Sequence, residues 1–151
     1  MDDIDKSILR ELQADGRISN VRLAEAVGLS EAACLRRVRG LEEAGVISGY
    51  TALVSPARLG LGGNVFVEIT LHQEQQRDLE AFERAVRGVP EVMECYLMTG
   101  QYDYLLRVVV EDLSDFERIH REAITRLPGV SRVQTSFALR TVTKRTSLPV
   151  R

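Results

Sequence analysis

Positive charge is not in excess anywhere that would announce a polyanion from composition alone. The chain sets 20 Lys and Arg against 22 Asp and Glu, a formal net charge of −2. Its first fifty residues carry seven Lys or Arg against nine Asp or Glu, so any surface for nucleic acid must be local. No uninterrupted apolar run approaches the ~20 residues that a membrane span needs. The first thirty residues, acidic at Asp2, Asp3 and Asp5, do not resemble a secretory leader. A cytoplasmic protein is therefore expected. Cysteine is scarce: Cys34 and Cys95 lie in separate periodic segments, form no CxxC, and read as free thiols of a reducing compartment. His72 and His120 are the only histidines, and nothing around them is spaced as a metal site. No His, Cys or Ser stands in a recognisable nucleophile arrangement. The sequence thus predicts no metal, no cofactor and no catalysis.

What is present falls into two halves with different periods. Up to about residue 45 the apolar spacing is helical. Ile4, Ile8 and Leu12 line one helix, which Asp15-Gly16 stops. Ser19 or Asn20 caps a second helix carrying Val21, Ala24 and Val27, and Gly28 ends it in a position suited to a left-handed cap. Ser30 then starts a third helix. Residues 46–54 read as extended and β-like, and 55–63, SPARLGLGG, as a linker. Beyond it the period becomes two: Val65, Val67, Ile69 and Leu71 alternate with Phe66, Glu68, Thr70 and His72, a strand pattern. Leu79, Phe82 and Val86 mark a helix closed by Gly88 and Pro90. Strands are predicted over 92–99 and 102–110, joined by a two-residue turn at Gly100-Gln101. Ser114 to Glu117 reads as a capping box for a further helix, and 130–142 as a last strand. Val89-Pro90-Glu91-Val92 and Leu127-Pro128-Gly129-Val130 each close a helix and open a strand, 38 residues apart. Two βαβ-like units so related predict a ferredoxin-like βαββαβ sandwich, α+β in class. Its uncovered sheet face, bearing residues such as Phe66 or Tyr96, predicts a dimer interface. The domains are read as 1–54, a helix-turn-helix of winged-helix type; 55–63, the linker; and 64–151, the sandwich.

The third helix carries the functional question. At ~100° per residue, Cys34, Leu35, Val38 and Leu41 gather on one side. Ala32, Ala33, Arg36, Gly40 and Glu43 gather opposite, flanked by Arg37 and Arg39. Small residues among arginines let a helix approach a surface closely while long arms reach sideways, as a major groove requires. The preceding short helix, the Gly28-Leu29 turn and Ser30 match the geometry of a helix-turn-helix. Candidate DNA-binding residues are Ser30, Ala32, Ala33, Arg36, Arg37 and Arg39. A solvated arginine face is the bland alternative for the same pattern.

The pieces and their order resemble the Lrp/AsnC family of transcriptional regulators, and most closely its leucine-responsive branch. The resemblance rests on DDIDKSILRELQADGRISN, LAEAVGLS, CLRRVRGLEEAGVISGYTAL, FVEITL, ECYLMTGQYDYLLRVVV and LPGVSRVQTS, spread from Asp2 to Ser136. It departs at Ser30-Glu31-Ala32-Ala33, where family members often read Ser-Pro-x-Pro. The resemblance implies an amino-terminal domain for double-stranded DNA and a carboxy-terminal αβ-sandwich for a small effector, commonly an amino acid. It also implies dimers that can assemble into octamers, associated with the nucleoid. The effector is expected near Gly100, Tyr102 and Asp103, with Thr135, Ser136 and Ala138 approaching from a neighbouring chain. Asp103 would accept the ammonium of an amino acid, and amides around Gly100 would donate to its carboxylate. Two other functions compete: a ligand-independent architectural DNA-binding protein, and a subunit of an enzyme of amino-acid metabolism, since fold does not fix function.

Overall fold

A computed structural model describes all 151 residues. Three helices open the chain: α1 (Asp3–Ala14), α2 (Asn20–Val27) and α3 (Glu31–Glu43). Each begins where a short polar side chain can take an orphan amide. Asp2 accepts from the Asp5 amide, Ser19 from Arg22 and Ser30 from Ala33. Gly28, in the left-handed region at φ 70°, closes α2 and turns the chain into α3. Ile8, Leu23, Ala24, Cys34 and Leu41 form the buried core of this three-helix unit, with Ile4, Leu12 and Val38 packed around it.

The predicted extended stretch after α3 is not a strand. Residues 46–54 carry no ladder, and Val46, Leu53 and Val54 are exposed. A strand needs a partner to satisfy its backbone, and within this chain none is offered. The winged part of the helix-turn-helix expectation is therefore not formed here.

The second half is a four-stranded antiparallel sheet in the order β2-β3-β1-β4, from β1 (Gly63–Leu71), β2 (Val92–Leu97), β3 (Tyr104–Val110) and β4 (Val130–Phe137). Helices α4 (Gln76–Val86) and α5 (Leu113–Glu122) connect them as two βαβ units. The 38-residue shift carries β1, α4 and β2 onto β3, α5 and β4 within a few residues. Val65, Val67, Ile69 and Leu71 of β1 and Tyr104, Leu106, Val108 and Val110 of β3 are buried, as period-two alternation dictates for central strands. Phe82 of α4 stacks on Tyr104 with ring centroids 4.4 Å apart, and Phe116 of α5 meets Phe137 edge-on at 5.2 Å.

Several boundaries differ from the sequence reading. Asp112, not Ser114, caps α5, its carboxylate accepting from the Asp115 amide at 2.8 Å. An acid outranks the expected hydroxyl here because a second carboxylate, Asp115, takes the Glu111 amide at 3.0 Å and squares the turn. The loop between β2 and β3 runs over 98–103 and is closed by the Met98 amide donating to the Asp103 carbonyl at 2.8 Å. It is wider than the two-residue turn expected. Strand β4 ends at Phe137, short of residue 142. The chain divides into two compact units, 1–53 with 142–151, and 54–141. The last ten residues thus belong with the helical unit, outside the sandwich to which 64–151 assigns them. Their anchor is Gln13, which donates to the Leu148 carbonyl at 3.1 Å and accepts from the Leu148 amide at 2.6 Å, while Arg10 donates to the Val150 carbonyl at 3.1 Å.

Candidate DNA-binding and effector sites

Helix α3 is held on α2 from both sides of the turn. The Asn20 side chain donates to the Glu31 carbonyl at 2.9 Å, tying the start of α2 to the start of α3. Sequence reasoning offers Asn20 only as a cap, yet Ser19 does the capping and leaves the Asn20 amide free to bridge. Ser30 is exposed, and its hydroxyl is already engaged on the Ala33 amide at 3.3 Å.

The structure sorts the predicted groove-facing residues. Ala32, Arg36 and Arg39 are exposed, and with Leu35, Gly40 and Glu43 they line a shallow depression of about 430 Å³ on one side of α3. Ala33 is half-buried at the edge of that surface. Leu35 departs from expectation: the wheel places it in the core seam, but it is 39% exposed and sits beside the arginines. The seam is narrower than drawn, because Cys34, Val38 and Leu41 already fill the space against α1 and α2. Arg37 departs in the other direction. Its Nη1 donates to Asp2 Oδ2 and Asp5 Oδ1 at 2.8 Å each, on the α1 side. The Asp5 amide, and after it the Arg37 guanidinium, hold the Asp2 carboxyl below its ordinary value. Of the predicted arginines, Arg36 and Arg39 remain for an outside partner.

Local charge is also more favourable than the first fifty residues suggest. Lys144, Arg145 and Arg151 lie in the carboxy-terminal stretch that packs with the helical unit. Those three cations turn seven against nine into ten against nine.

In the sandwich, Gly100 sits at φ 126°, where a side chain is strained, in the loop that Asp103 closes. Asp103 is half-buried and firmly placed: its amide donates to the Ile69 carbonyl at 2.8 Å, and its Oδ2 accepts from the Leu71 amide at 2.6 Å. That second bond falls where the β1–β4 register shifts, between Thr70 and Leu71. It is a structural duty that no local sequence pattern reveals. Tyr102 is half-buried beside it. Thr135 pairs with Val67 and Ser136 with Phe66, so adjacent residues of β4 face opposite sides of the sheet. Thr135 joins Phe116, His120 and Phe137 around a cavity of about 820 Å³ beside α5. Ser136 looks onto the helix-free face, and the Ala138 amide donates to the Asn64 carbonyl at 2.9 Å just beyond the strand. Strand β1 separates Asp103 from Thr135 by two strand spacings, and the register offsets them by about three residues along the strands, roughly 14 Å in all. One chain therefore does not bring the two expected walls of the effector site together.

The helix-free face carries Phe66, Leu105, Val109 and Tyr96, the last 51% exposed. Arg107 crosses it to Glu94 at 2.7 Å, and Tyr96 donates to the same carboxylate at 2.8 Å. No helix of the structure is long and apolar enough to cross a membrane.

The comparisons with known proteins agree with this layout. The profile of the AsnC-type helix-turn-helix domain matches residues 1–42, and that of the Lrp/AsnC ligand binding domain matches 64–148. The leucine-responsive regulatory protein of Escherichia coli K12 is 45% identical over all 151 residues, which span 92% of its own length. A transcriptional regulator from Neisseria meningitidis, solved in complex with L-methionine, superposes with a TM-score of 0.93 at 38% identity, covering 99% of this chain and 96% of that one. A feast-or-famine regulatory protein from Mycobacterium tuberculosis, also complexed with L-methionine, gives 0.89 at 33% identity over 99% of both chains. With a helix-turn-helix unit followed by a split βαβ sandwich and both profiles matched in that order, this chain belongs to the Lrp/AsnC family of transcriptional regulators.

Proposed function

We propose that α3 enters the major groove of double-stranded DNA with Arg36 and Arg39 as its reaching side chains, and that an amino acid bound by the sandwich controls the affinity or assembly of the complex. The carrying observation is the exposed face of α3, where Ala32 and Gly40 leave room between two arginines that enter no salt bridge. The Asn20 bridge presents this face as a preset surface. Ser30 and Ala33 lie at the helix start, where the Ser30 cap takes the Ala33 amide and the first amides of α3, at Glu31 and Ala32, are left to favour a phosphate. Glu31 in that first turn opposes the phosphate and tunes the choice of operator.

For the effector, the Gly100 loop and Asp103 supply amide donors and a carboxylate, the two needs of a zwitterion. Thr135, Ser136 and Ala138 complete the site only if a neighbouring chain brings them, which makes effector binding depend on assembly. The unpaired β-prone stretch ending in Leu53 and Val54, and the Phe66–Leu105–Val109 face, favour a dimer that can build toward an octamer. Acting on DNA, such a protein is expected in the cytoplasm, associated with the nucleoid.

A gel shift on duplexes selected by the protein from a random pool, run at two salt concentrations with and without L-leucine and L-methionine, tests the reading. Salt-sensitive binding that shifts in mobility or affinity with one of the amino acids is the expected result. Binding indifferent to either ligand would leave a ligand-independent architectural protein, and no binding would return the case to an enzyme subunit.

A further inference from the structure

We propose that Arg37 is a positioning residue: it clamps the recognition helix to the first turn of α1 and does not touch DNA. The inference rests on the reading of α3 as the groove helix and deepens it. Arg37 follows Arg36 at about 100° around α3, half-buried at the edge of the seam made by Cys34, Val38 and Leu41 and turned toward α1, whereas Arg36 lies on the exposed face. A cation on that side needs a partner within the unit, and α1 holds two. The capping box of α1 has already oriented them. The Asp5 amide donates to Asp2 Oδ1 at 2.9 Å and the Asp2 amide to Asp5 Oδ2 at 3.0 Å. The two remaining oxygens, Asp2 Oδ2 and Asp5 Oδ1, converge on one nitrogen of Arg37 at 2.8 Å each. All four carboxylate oxygens are thus used once. Asp5 retains 16% of its side-chain exposure and Arg37 32%, so the pair is shielded enough to hold its geometry.

Two consequences separate a clamp from a contact. The cluster carries one positive charge against two negative ones, so it has no net attraction for a phosphate. It also spans 35 residues of chain from Asp2 to Arg37, fixing the angle between α1 and α3 beyond what the small apolar core supplies.

The test uses the full chain, a duplex selected by it from a random pool, and fluorescence anisotropy over a series of salt concentrations. The variants are Arg37→Gln, Arg37→Lys and the double variant Asp2→Asn/Asp5→Asn. Asparagine caps helices as well as aspartate does, so α1 is retained, and thermal melts verify folding. A clamp predicts that the double variant, although it removes two negative charges, binds DNA about tenfold more weakly. Arg37→Gln should lose about as much, Arg37→Lys should recover part of it, and the slope of log affinity against log salt should stay at the wild-type value. A DNA contact predicts the reverse: tighter binding by the double variant and a slope reduced by about one in Arg37→Gln. That result overturns the proposal, as does wild-type affinity in every clamp variant. Arg36→Ala tells the two readings apart. Weak binding there with normal binding in Arg37→Gln defeats the clamp alone, and normal binding in both defeats the groove assignment beneath it.

Discussion

Replacing Asp103 by asparagine and by alanine separates two jobs that one carboxylate performs. In the folded chain its Oδ2 accepts from the Leu71 amide at 2.6 Å, where the β1–β4 ladder shifts register. In the proposed complex the same carboxylate faces the ammonium of an amino acid. Asparagine has the shape to keep an oxygen on the Leu71 amide but brings no charge. A hydrogen bond to a charged group is worth roughly 1.5–3 kcal/mol and a neutral one roughly 0.5–1.5, so stability should fall by about 1 kcal/mol. Alanine removes the acceptor and strands a half-buried amide, which costs about 1–3 kcal/mol. For the ligand, both variants lose the charge-assisted bond, about tenfold to a hundredfold in affinity. Titration calorimetry with L-leucine and L-methionine on the wild type and both variants, beside thermal melts, reads the two effects separately. The expected pattern is a nearly stable asparagine variant that binds the effector poorly while still binding DNA in ligand-free buffer. If that variant binds the amino acid as well as the wild type does, and only alanine is destabilised, Asp103 is a loop acid and the effector site lies elsewhere.

Removing residues 142–151 should destabilise the helical unit by about 1–2 kcal/mol, since three hydrogen bonds to Arg10 and Gln13 are lost at an exposed site; a thermal melt indistinguishable from the full chain would refute the anchoring. Both cysteines should react slowly with a disulfide reagent at neutral pH. Cys34 is fully buried, and burial, with Glu83 next, pushes the Cys95 thiol up to about 11, so little thiolate is present. Labelling at the rate of a free thiol before unfolding would contradict this.

Periodicity carried most of the fold. The alternation from Val65 to Leu71 placed β1 and its buried face, and the 38-residue spacing of Pro90 and Pro128 announced the doubled βαβ unit. Helix starts at Asp2, Ser19 and Ser30 are local chemistry, decided within four residues of chain. These features were legible because the interactions behind them connect near neighbours in sequence or repeat at the period of one element. The candidate site residues came from two sources: Arg36 and Arg39 from the helical wheel, Gly100, Asp103 and Thr135 only through the family resemblance. What the wheel misplaced was phase at the edges of the seam, drawing Leu35 inside and Arg37 on the outer flank, a rotation of well under one residue position, since Cys34, Val38 and Leu41 stay in the core.

Only the tertiary structure could decide that rotation, because it depends on what α1 presents opposite α3: two aspartates 32 and 35 residues away whose spare oxygens converge on Arg37. The same holds for the Asp103 bond to Leu71, reaching across 32 residues, and for the tail that Gln13 captures at a separation of 135. Composition and period set which residues form helices and strands, since those choices are made by local backbone energetics and one-sided burial. The sequence alone does not say which arginine is paired within the chain, which carboxylate oxygen is already taken, or which unit owns the last ten residues. Those are facts of long-range pairing, settled when distant charged and polar groups find partners in the folded chain.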